Sequence, residues 1–519
     1  MALSIAALWL TISFVLLFFL LPLRHGYRRY NLPPGPKPWP IIGNLHTLFA
    51  APLHRSLHAL SQKYGAIMSL RLGSNLVVVG SSAQMAQAFL KTHDASLASR
   101  PKTTAGKYTT YNYSNILWAP HGPQWRQARR LCFTELFSPK SMESSEYIRK
   151  EEMKTLINNL FISSNKAIVL KENLNILNLG IISRMVLGKK YVERTGNGYI
   201  TPEEFKHMLD EFFFLNGCMN IGDLIPWIGF LDLQGYVKRM KVLSEKFDGF
   251  MEYVLDEHIE RRKRLHEEDD DENVDKDMVD VLLKFQEDPK VKLERHRVKA
   301  ITQDLLIGGT QTSAITVEWA MSELLRKPEI LKEATKELDK VIGKERWIEE
   351  QDILKLPYIK AIVKETMRLH PALPTLVPRL ALEDSNINGY DIPKGTQVLV
   401  NVWAIGRDPT IWDNPYEFEP ERFLIGKNYK ANNIDVEGHD FELLPFGAGR
   451  RMCVGYPLGL KVIQTCLANL IHGFDWKLGG EMKKEELNME EGNGLSIARK
   501  IPLEVMVEPR LPLHLYSLP

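Results

Sequence analysis

The sequence predicts a mainly α-helical chain with small β-sheets, preceded by an N-terminal transmembrane helix. Apolar helical stretches are long, from Val298 to Leu325 and from Leu458 to Ile471. Strand-like runs are short and bounded by turns, as at Ala66 to Leu72, Leu76 to Val79 and Gln397 to Asn401. Met1 to Leu23 contains no charged side chain at all. The 519 residues, 44% hydrophobic and 25% charged, describe a globular protein with room for two or three average domains or one large mixed core. A formal net charge of +2 gives no case for nucleic acid as a partner. Four scattered cysteines with no paired spacing argue against a disulfide framework or a zinc site, and they place the folded part in a reducing compartment.

Met1 to Leu23 is long enough to cross a hydrocarbon core at about 1.5 Å per residue. Arg24, Arg28 and Arg29, with Tyr27 and Tyr30, follow at once and put the rest of the chain in the cytosol by the positive-inside rule. A cleaved signal peptide would carry its basic residues before the apolar run and a small-residue cleavage site after it, and neither is present. The sequon Asn112-Tyr113-Ser114 is therefore expected to be unused. Leu32 to Pro38 holds four prolines and predicts an extended, semi-rigid hinge.

Ala66 to Leu72 and Leu76 to Val79, separated by Gly73-Ser74-Asn75, predict a hairpin. Tyr108 to Ala119 reads as an aromatic loop. Trp125 and Arg129 lie four apart on one helical face, where a surface cation beside a packed indole is the plain reading. Phe212 to Leu215 and Ile221 to Leu233 are apolar without clear amphipathicity, which suits core. Arg261 to Arg264 followed by His266 to Glu272 reads as a solvated charged loop with no chemistry of its own.

The helix from Val298 to Leu325 is interrupted by Gly308-Gly309-Thr310-Gln311-Thr312-Ser313. Adjacent glycines inside a helix cost roughly 1 kcal/mol each relative to alanine. Either close helix packing or a ligand lying against the backbone must compensate. Glu365 and Arg368, three apart on a helix that ends at Pro371, form an ordinary ion pair unless buried. His370 beside them is expected to be a packed histidine. Asn388-Gly389 and Lys394-Gly395 mark turns around short strands.

Pro445 to Gly455 places one cysteine among glycines and arginines just before an apolar helix. A thiol ligates metal only as thiolate, and its pKa falls beside cations or at a helix N-terminus. Arg450 and Arg451 are expected to supply the charge and the helix from Leu458 its amides, while the glycines let the backbone lie against a flat group. Cys132, Cys218 and Cys466 read as inert buried thiols.

Phe446, Gly449, Arg451, Cys453 and Gly455 resemble the F-x-x-G-x-R-x-C-x-G loop of cytochrome P450 haem-thiolate monooxygenases. Upstream, Trp125 and Arg129 are similar to the family's W-x-x-x-R element, Glu365 and Arg368 to E-x-x-R, and Arg422 in Pro420-Glu421-Arg422-Phe423 to its third member. The resemblance runs from the anchor to about Pro509 and is closest to the plant microsomal branch of specialised metabolism. It implies residues 1–23 as transmembrane anchor, 24–40 as basic and proline-rich hinge and 41–519 as catalytic domain, with haem b ligated by Cys453. It further implies that Trp125, Arg129 and Arg379 meet haem propionates, that Phe446 and Arg451 border the haem, and that Thr312 and Gln311 serve oxygen activation. Glu365, Arg368 and Arg422 would form a buried structural network. Ala372 to Val377, Gly494 to Ile497 and the aromatic segments would line the substrate cavity.

Two residues depart from the pattern. Gln311 stands where Asp or Glu is usual, so proton delivery would rest on Thr312 and water, with Asp304 as a distant helper. Val454 stands where plant members usually have proline, and its retained N–H could reach the thiolate.

The implied activity is insertion of one atom of O2 into a small apolar substrate: terpenoid, phenylpropanoid or flavonoid, or fatty acyl. Electrons would come from NADPH through NADPH-cytochrome P450 reductase, since no G-x-G-x-x-G site follows a strand. The protein would sit as a single-pass protein of the endoplasmic reticulum membrane with its catalytic domain in the cytosol. A haem-thiolate isomerase, lyase or dehydratase that needs no O2, and a non-enzymatic haem sensor, are the alternatives.

Overall fold

The computed structural model describes residues 30–48, 51–190, 200–267, 277–424, 433–480, 482–492 and 494–516. The expected span at 1–23, its flank at 24–29 and the acidic run from 268 onward lie outside the described residues. Among the described residues, no helix is long and apolar enough to cross a membrane.

Helices dominate, as expected. Those that build the site are α1 (Pro123–Leu131), α2 (Glu146–Ile162), α3 (Leu170–Leu187), α4 (Pro202–Gly217), α5 (Tyr236–Glu267), α6 (Met278–Glu287), α7 (Arg295–Thr310), α8 (Thr312–Arg326), α9 (Pro357–Leu369) and α10 (Tyr456–Gly473). Helix α8 is buried on every side from Ser313 to Leu325, so it has no solvent face and occupies the centre. It packs on α3, α9 and α10, and α3 in turn packs on α2 and α7. One large apolar core joins these helices, and two smaller cores lie beside the sheet.

The four-stranded sheet begins with a hairpin, Ile67–Leu72 and Asn75–Gly80. Leu72 faces Asn75 across a turn in which Gly73 takes φ +59°. Asn75–Gly80 then pairs in parallel with Gln397–Val400, which carries Arg379–Leu380 on its other edge. That pairing brings Arg379 from the C-terminal half to the site. Ser385–Ile387 and Tyr390–Ile392 form a tight hairpin in which both Asn388 (φ +51°) and Gly389 (φ +83°) are left-handed, the conformation a two-residue primed turn demands. A third sheet orders Ile168–Val169, Glu504–Pro509 and Phe474–Leu478.

The proline-rich segment lies on this sheet. Ser69 donates its N–H to the Pro34 carbonyl at 2.8 Å and its hydroxyl to the Pro33 carbonyl at 2.7 Å. Gly35 passes so close that a Cβ would stand 1.9 Å from the Ser69 carbonyl oxygen.

The predicted central helix is two helices, α7 and α8, which meet at Gln311. The break is supported by local bonds. Thr310 Oγ1 donates to the Ile307 carbonyl and Thr312 Oγ1 to the Gly308 carbonyl, each at 3.0 Å, while Asn178 Nδ2 of α3 donates to the Thr310 carbonyl at 2.9 Å. The two glycines have different reasons. A Cβ on Gly309 would meet Ile182 at 2.7 Å, so this glycine permits close packing of α7 on α3, whereas Gly308 lines the cavity described below.

Candidate active site

A cavity of about 320 Å³ lies between the α7–α8 break, the Cys453 loop, α1 and the 372–379 segment. Cys453, Thr312, Trp125, Arg129, Arg379, Phe446 and Arg451 all line it. Gln311 does not: its Nε2 donates to Asp210 Oδ1 on α4 at 2.6 Å. Consecutive helical side chains diverge by about 100°, so Thr312 and Gln311 cannot both face inward.

Cys453 is held by its loop before it is tuned by its surroundings. Its N–H donates to the Phe446 carbonyl at 3.0 Å, and Met452 N–H closes onto Gly449 at 3.1 Å. Gly449 at φ +68° touches another part of the chain, where a Cβ would come within 2.2 Å of the Leu90 carbonyl oxygen. The thiol lines the cavity, and the protein packed around it pushes its pKa up by desolvation. Opposing that push are the N–H groups of Gly455 and Tyr456 at the start of α10, which donate to sulfur, and the Arg129 guanidinium. The first turn of α10 thus acts as expected. The source of positive charge is different, because Arg450 pairs with Asp94 at 3.0 Å and Arg451 donates to the carbonyls of Ala98, Ile116 and Ala119. Of the neighbouring amides, those of Gly455 and Tyr456 reach sulfur, and that of Val454 is not among them.

Four guanidiniums, of Arg100, Arg129, Arg379 and Arg451, line the same cavity. Arg129 donates to the Met452 carbonyl at 2.7 Å. Arg379 bridges Asp94 Oδ1 at 2.5 Å and the Ala448 carbonyl at 2.9 Å. Arg100 donates to the carbonyls of Leu117, Val377 and Pro378 at 2.7–3.0 Å. Burial depresses the pKa of all four, and for Arg100 and Arg451 the neighbouring guanidiniums push it lower, Arg451 to about 9. Asp94 is the one carboxylate bonded to this cluster among the described residues. The wall therefore carries more buried positive charge than it neutralises, which suits a ligand bearing two carboxylates. Trp125 braces it, with the Arg451 guanidinium 4.1 Å and the Arg129 guanidinium 5.6 Å from its ring.

Elsewhere the lining is mostly apolar, with Ile116, Leu117, Phe212, Phe213, Leu305 and Leu376, and Ser313 and Thr316 add hydroxyls. Ala372, Leu373, Val377, Leu495 and Ser496 also border it. The aromatic residues of the 108–119 loop do not line the cavity. Tyr113 donates to the Thr103 carbonyl at 2.9 Å and Trp118 Nε1 to Asn216 at 2.9 Å. Asp304 is the cavity's carboxylate away from the arginines, and it is already committed, accepting from Asn115 Nδ2 at 2.7 Å and from the N–H groups of Ile116 at 2.6 Å and Leu117 at 3.1 Å. Burial pushes its pKa up to about 6.

The Glu365 network lies behind the site. Glu365 accepts from Arg368 Nε and Nη2 at 2.7 Å and from Arg422 Nε at 3.0 Å, with the three side chains 0–1% exposed. The same guanidiniums donate to the carbonyls of Asp413, Pro415 and Glu417, so the network pins the 406–419 segment rather than the cysteine loop directly. His370 is packed: it stacks on Trp319 at 4.1 Å and bonds Glu323 at 2.8 Å. Sequence reasoning missed Arg100, Asp94 and Asn178, single residues that belong to no spacing pattern.

Comparison with known proteins agrees with this geometry. The cytochrome P450 family model matches residues 33–504. The chain belongs to the cytochrome P450 family and is a haem-dependent monooxygenase, an oxidoreductase whose cofactor is haem b. Over 534 residues it is 47% identical to a trimethyltridecatetraene synthase of Zea mays, covering 100% of this chain and 95% of that one. It is 44% identical to a flavonoid 3'-monooxygenase of Petunia hybrida, covering 97% of each. Among solved structures, a zebra fish cytochrome P450 with progesterone superposes with a TM-score of 0.74 at 25% identity, covering 88% of this chain and 100% of that one.

Proposed function

We propose that Cys453 would supply the thiolate ligand to haem iron, that Arg100, Arg129, Arg379 and Arg451 with Trp125 would hold the two haem propionates, and that Phe446 would pack beside the macrocycle. The excess of buried guanidinium over carboxylate on one wall of the Cys453 cavity carries this reading. Bound there, haem supplies the activation of O2, which thiolate ligation promotes as a general property of the class. The chain supplies position and protons. Thr312 Oγ1, now donating to the Gly308 carbonyl, holds a proton at the cavity wall and can turn it toward the reacting centre. Gln311 braces α4 against the helix break through Asp210 and takes no direct part. The amides of Gly455 and Tyr456 favour the anionic sulfur.

The substrate is a small, apolar, unsaturated chain. Away from the arginines the lining is mostly hydrocarbon, and its carboxylate Asp304 already accepts three hydrogen bonds from the chain, which favours the chemistry named in trimethyltridecatetraene synthase over a hydroxylated flavonoid. The hydroxyls of Ser313, Thr316 and Ser496 on the wall support the flavonoid reading instead. Residues 1–23 anchor the protein in the endoplasmic reticulum membrane, 24–40 form the hinge, and 41–519 form the cytosolic catalytic domain. In support, the 221–233 segment, which Ser74 N–H ties to the hairpin turn through the Leu224 carbonyl at 2.8 Å, carries Phe230 (83% exposed) and Leu233 (65% exposed) as apolar surface. Electrons come from NADPH through NADPH-cytochrome P450 reductase, with exposed Arg126 and Arg130 as cationic contacts.

Microsomal co-expression with a reductase, with and without NADPH, tests this against terpenoid, flavonoid and fatty-acyl panels. Products are expected only with NADPH and from the apolar terpenoid set. Turnover without NADPH would replace the reading with an isomerase or lyase.

A further inference from the structure

Helix α3 presents two side chains to the α7–α8 break from one face. Asn178 and Ile182 lie four apart, about one helical turn, and both line the cavity. Ile182 packs where a side chain on Gly309 would stand, and Asn178 Nδ2 donates to the Thr310 carbonyl at 2.9 Å in a buried bond. Helix α3 is itself braced from behind. Gly180 brings it so close to α2 that a Cβ there would collide with the Glu152 carboxylate, and Arg184 of α3 donates to that carboxylate at 2.8 Å.

A side chain that takes a carbonyl out of the helical ladder is one of the few causes of a sharp break in a helix. At the break Gln311 has φ −97° and ψ −32°, displaced from the usual values of about −63° and −42°. Its carbonyl resumes the ladder by accepting from Ile315 N–H at 3.0 Å, and Thr312 opens α8. The turn that leads into Thr312 is thus fixed at its entry by Asn178 and at its exit by the first bond of α8. The Gln311–Asp210 bond lies at exposed surface, where water replaces it; the Asn178 bond is buried.

We infer that Asn178 is a positioning residue for oxygen activation: by holding the Thr310 carbonyl it sets the α7–α8 break, and through the break the direction of the Thr312 hydroxyl. The inference rests on the role of Thr312 proposed above. Without the amide, the Thr310 carbonyl is left with the helical donor four residues on, the N–H of Ala314. Settling on that donor straightens the break and turns Thr312.

The test uses full-length holoprotein reduced under carbon monoxide and needs no substrate. The C–O stretching band, read by infrared spectroscopy, reports a hydroxyl beside the bound carbon monoxide. Thr312→Ala is expected to move the band to higher frequency, as loss of a hydrogen-bond donor does. Asn178→Leu, which keeps the bulk and removes the amide, is expected to move it the same way. The double variant is expected to coincide with Thr312→Ala, because Asn178 acts through Thr312. The long-wavelength Soret band of each reduced carbonyl complex shows that the variant is folded around haem, and Asn178→Val replaces Asn178→Leu if the latter takes up none. An unmoved band in the Asn178 variant, with Thr312→Ala shifted, overturns the inference, as does a double variant displaced by the sum of the two single shifts. An unmoved band in Thr312→Ala overturns the role of Thr312 and the inference with it.

Discussion

Thr312 and Gln311 are neighbours in sequence and face different surroundings. Thr312 borders the cavity, while the Gln311 amide is spent on Asp210. In Thr312→Ala, product formed per NADPH consumed is expected to fall by about a hundredfold, the lower range for loss of a positioned proton donor. Gln311→Ala removes one partly exposed hydrogen bond, costing about 0.5–1.5 kcal/mol of stability, and is expected to change that ratio little. If the two variants behave alike in a coupling assay, Gln311 belongs to the proton path after all. At Cys453, the serine variant is expected to lose the long-wavelength Soret band of the reduced carbonyl complex. Persistence of that band would remove Cys453 as the thiolate ligand.

At the scale of elements, the adjacent glycines at the end of α7 give opposite expectations. Gly308→Ala gains helix propensity and meets no protein atom, so stability should rise by up to about 1 kcal/mol, while its methyl on the cavity wall crowds whatever is bound there. Gly309→Ala drives a methyl into Ile182 and should cost about 1–3 kcal/mol. Thermal unfolding of the pair checks both signs. The Glu365 network gives a larger effect. Arg422→Ala leaves Glu365 with fewer partners at a fully buried site and is expected to cost roughly 3–5 kcal/mol. Spectra of the variant should show lost haem incorporation, because the 406–419 segment that the network pins leads into the cysteine loop.

At the scale of the molecule, Glu491 near the C-terminus ties down the N-terminal helix Leu53–Tyr64 through His54 at 2.9 Å and Arg55 at 2.7 Å. Burial alone would raise its pKa, but the hydrogen bonds from His54 and Arg55 outweigh it and hold the carboxyl at about 2. An acid whose pKa is lowered by folding stabilises the fold above its ordinary range and stops doing so as pH falls through the folded value. Glu491→Gln should therefore lower the unfolding midpoint at neutral pH. Its difference from wild type should shrink between about pH 4 and 2. A difference independent of pH would assign the effect to packing.

Much of the site was legible before any fold was known. Trp125 with Arg129, Glu365 with Arg368, and the loop around Cys453 are local patterns, in which spacing along one helix or one turn sets which side chains meet. Asn388-Gly389 similarly encodes its own turn. The aromatic loop at 108–119 misled, because hydrophobic type gives no direction: Ile116 and Leu117 face the cavity while the tyrosines turn away. The assignment of thiolate charge to Arg450 and Arg451 failed for a related reason. Proximity in sequence placed the guanidiniums near sulfur, but Asp94 and the carbonyls of 98–119 drew them elsewhere.

The sequence by itself determined the helical class, the cysteine loop, the Glu365–Arg368 pair and the apolar N-terminal stretch, since each rests on residues within a few turns of one another. Only the tertiary structure decided that Arg100 and Arg379 join Arg129 on one wall, that Gln311 faces outward, and that Asn178 reaches the Thr310 carbonyl. These depend on segments hundreds of residues apart crossing in space, where packing and charge balance, rather than periodicity, set which way a side chain points.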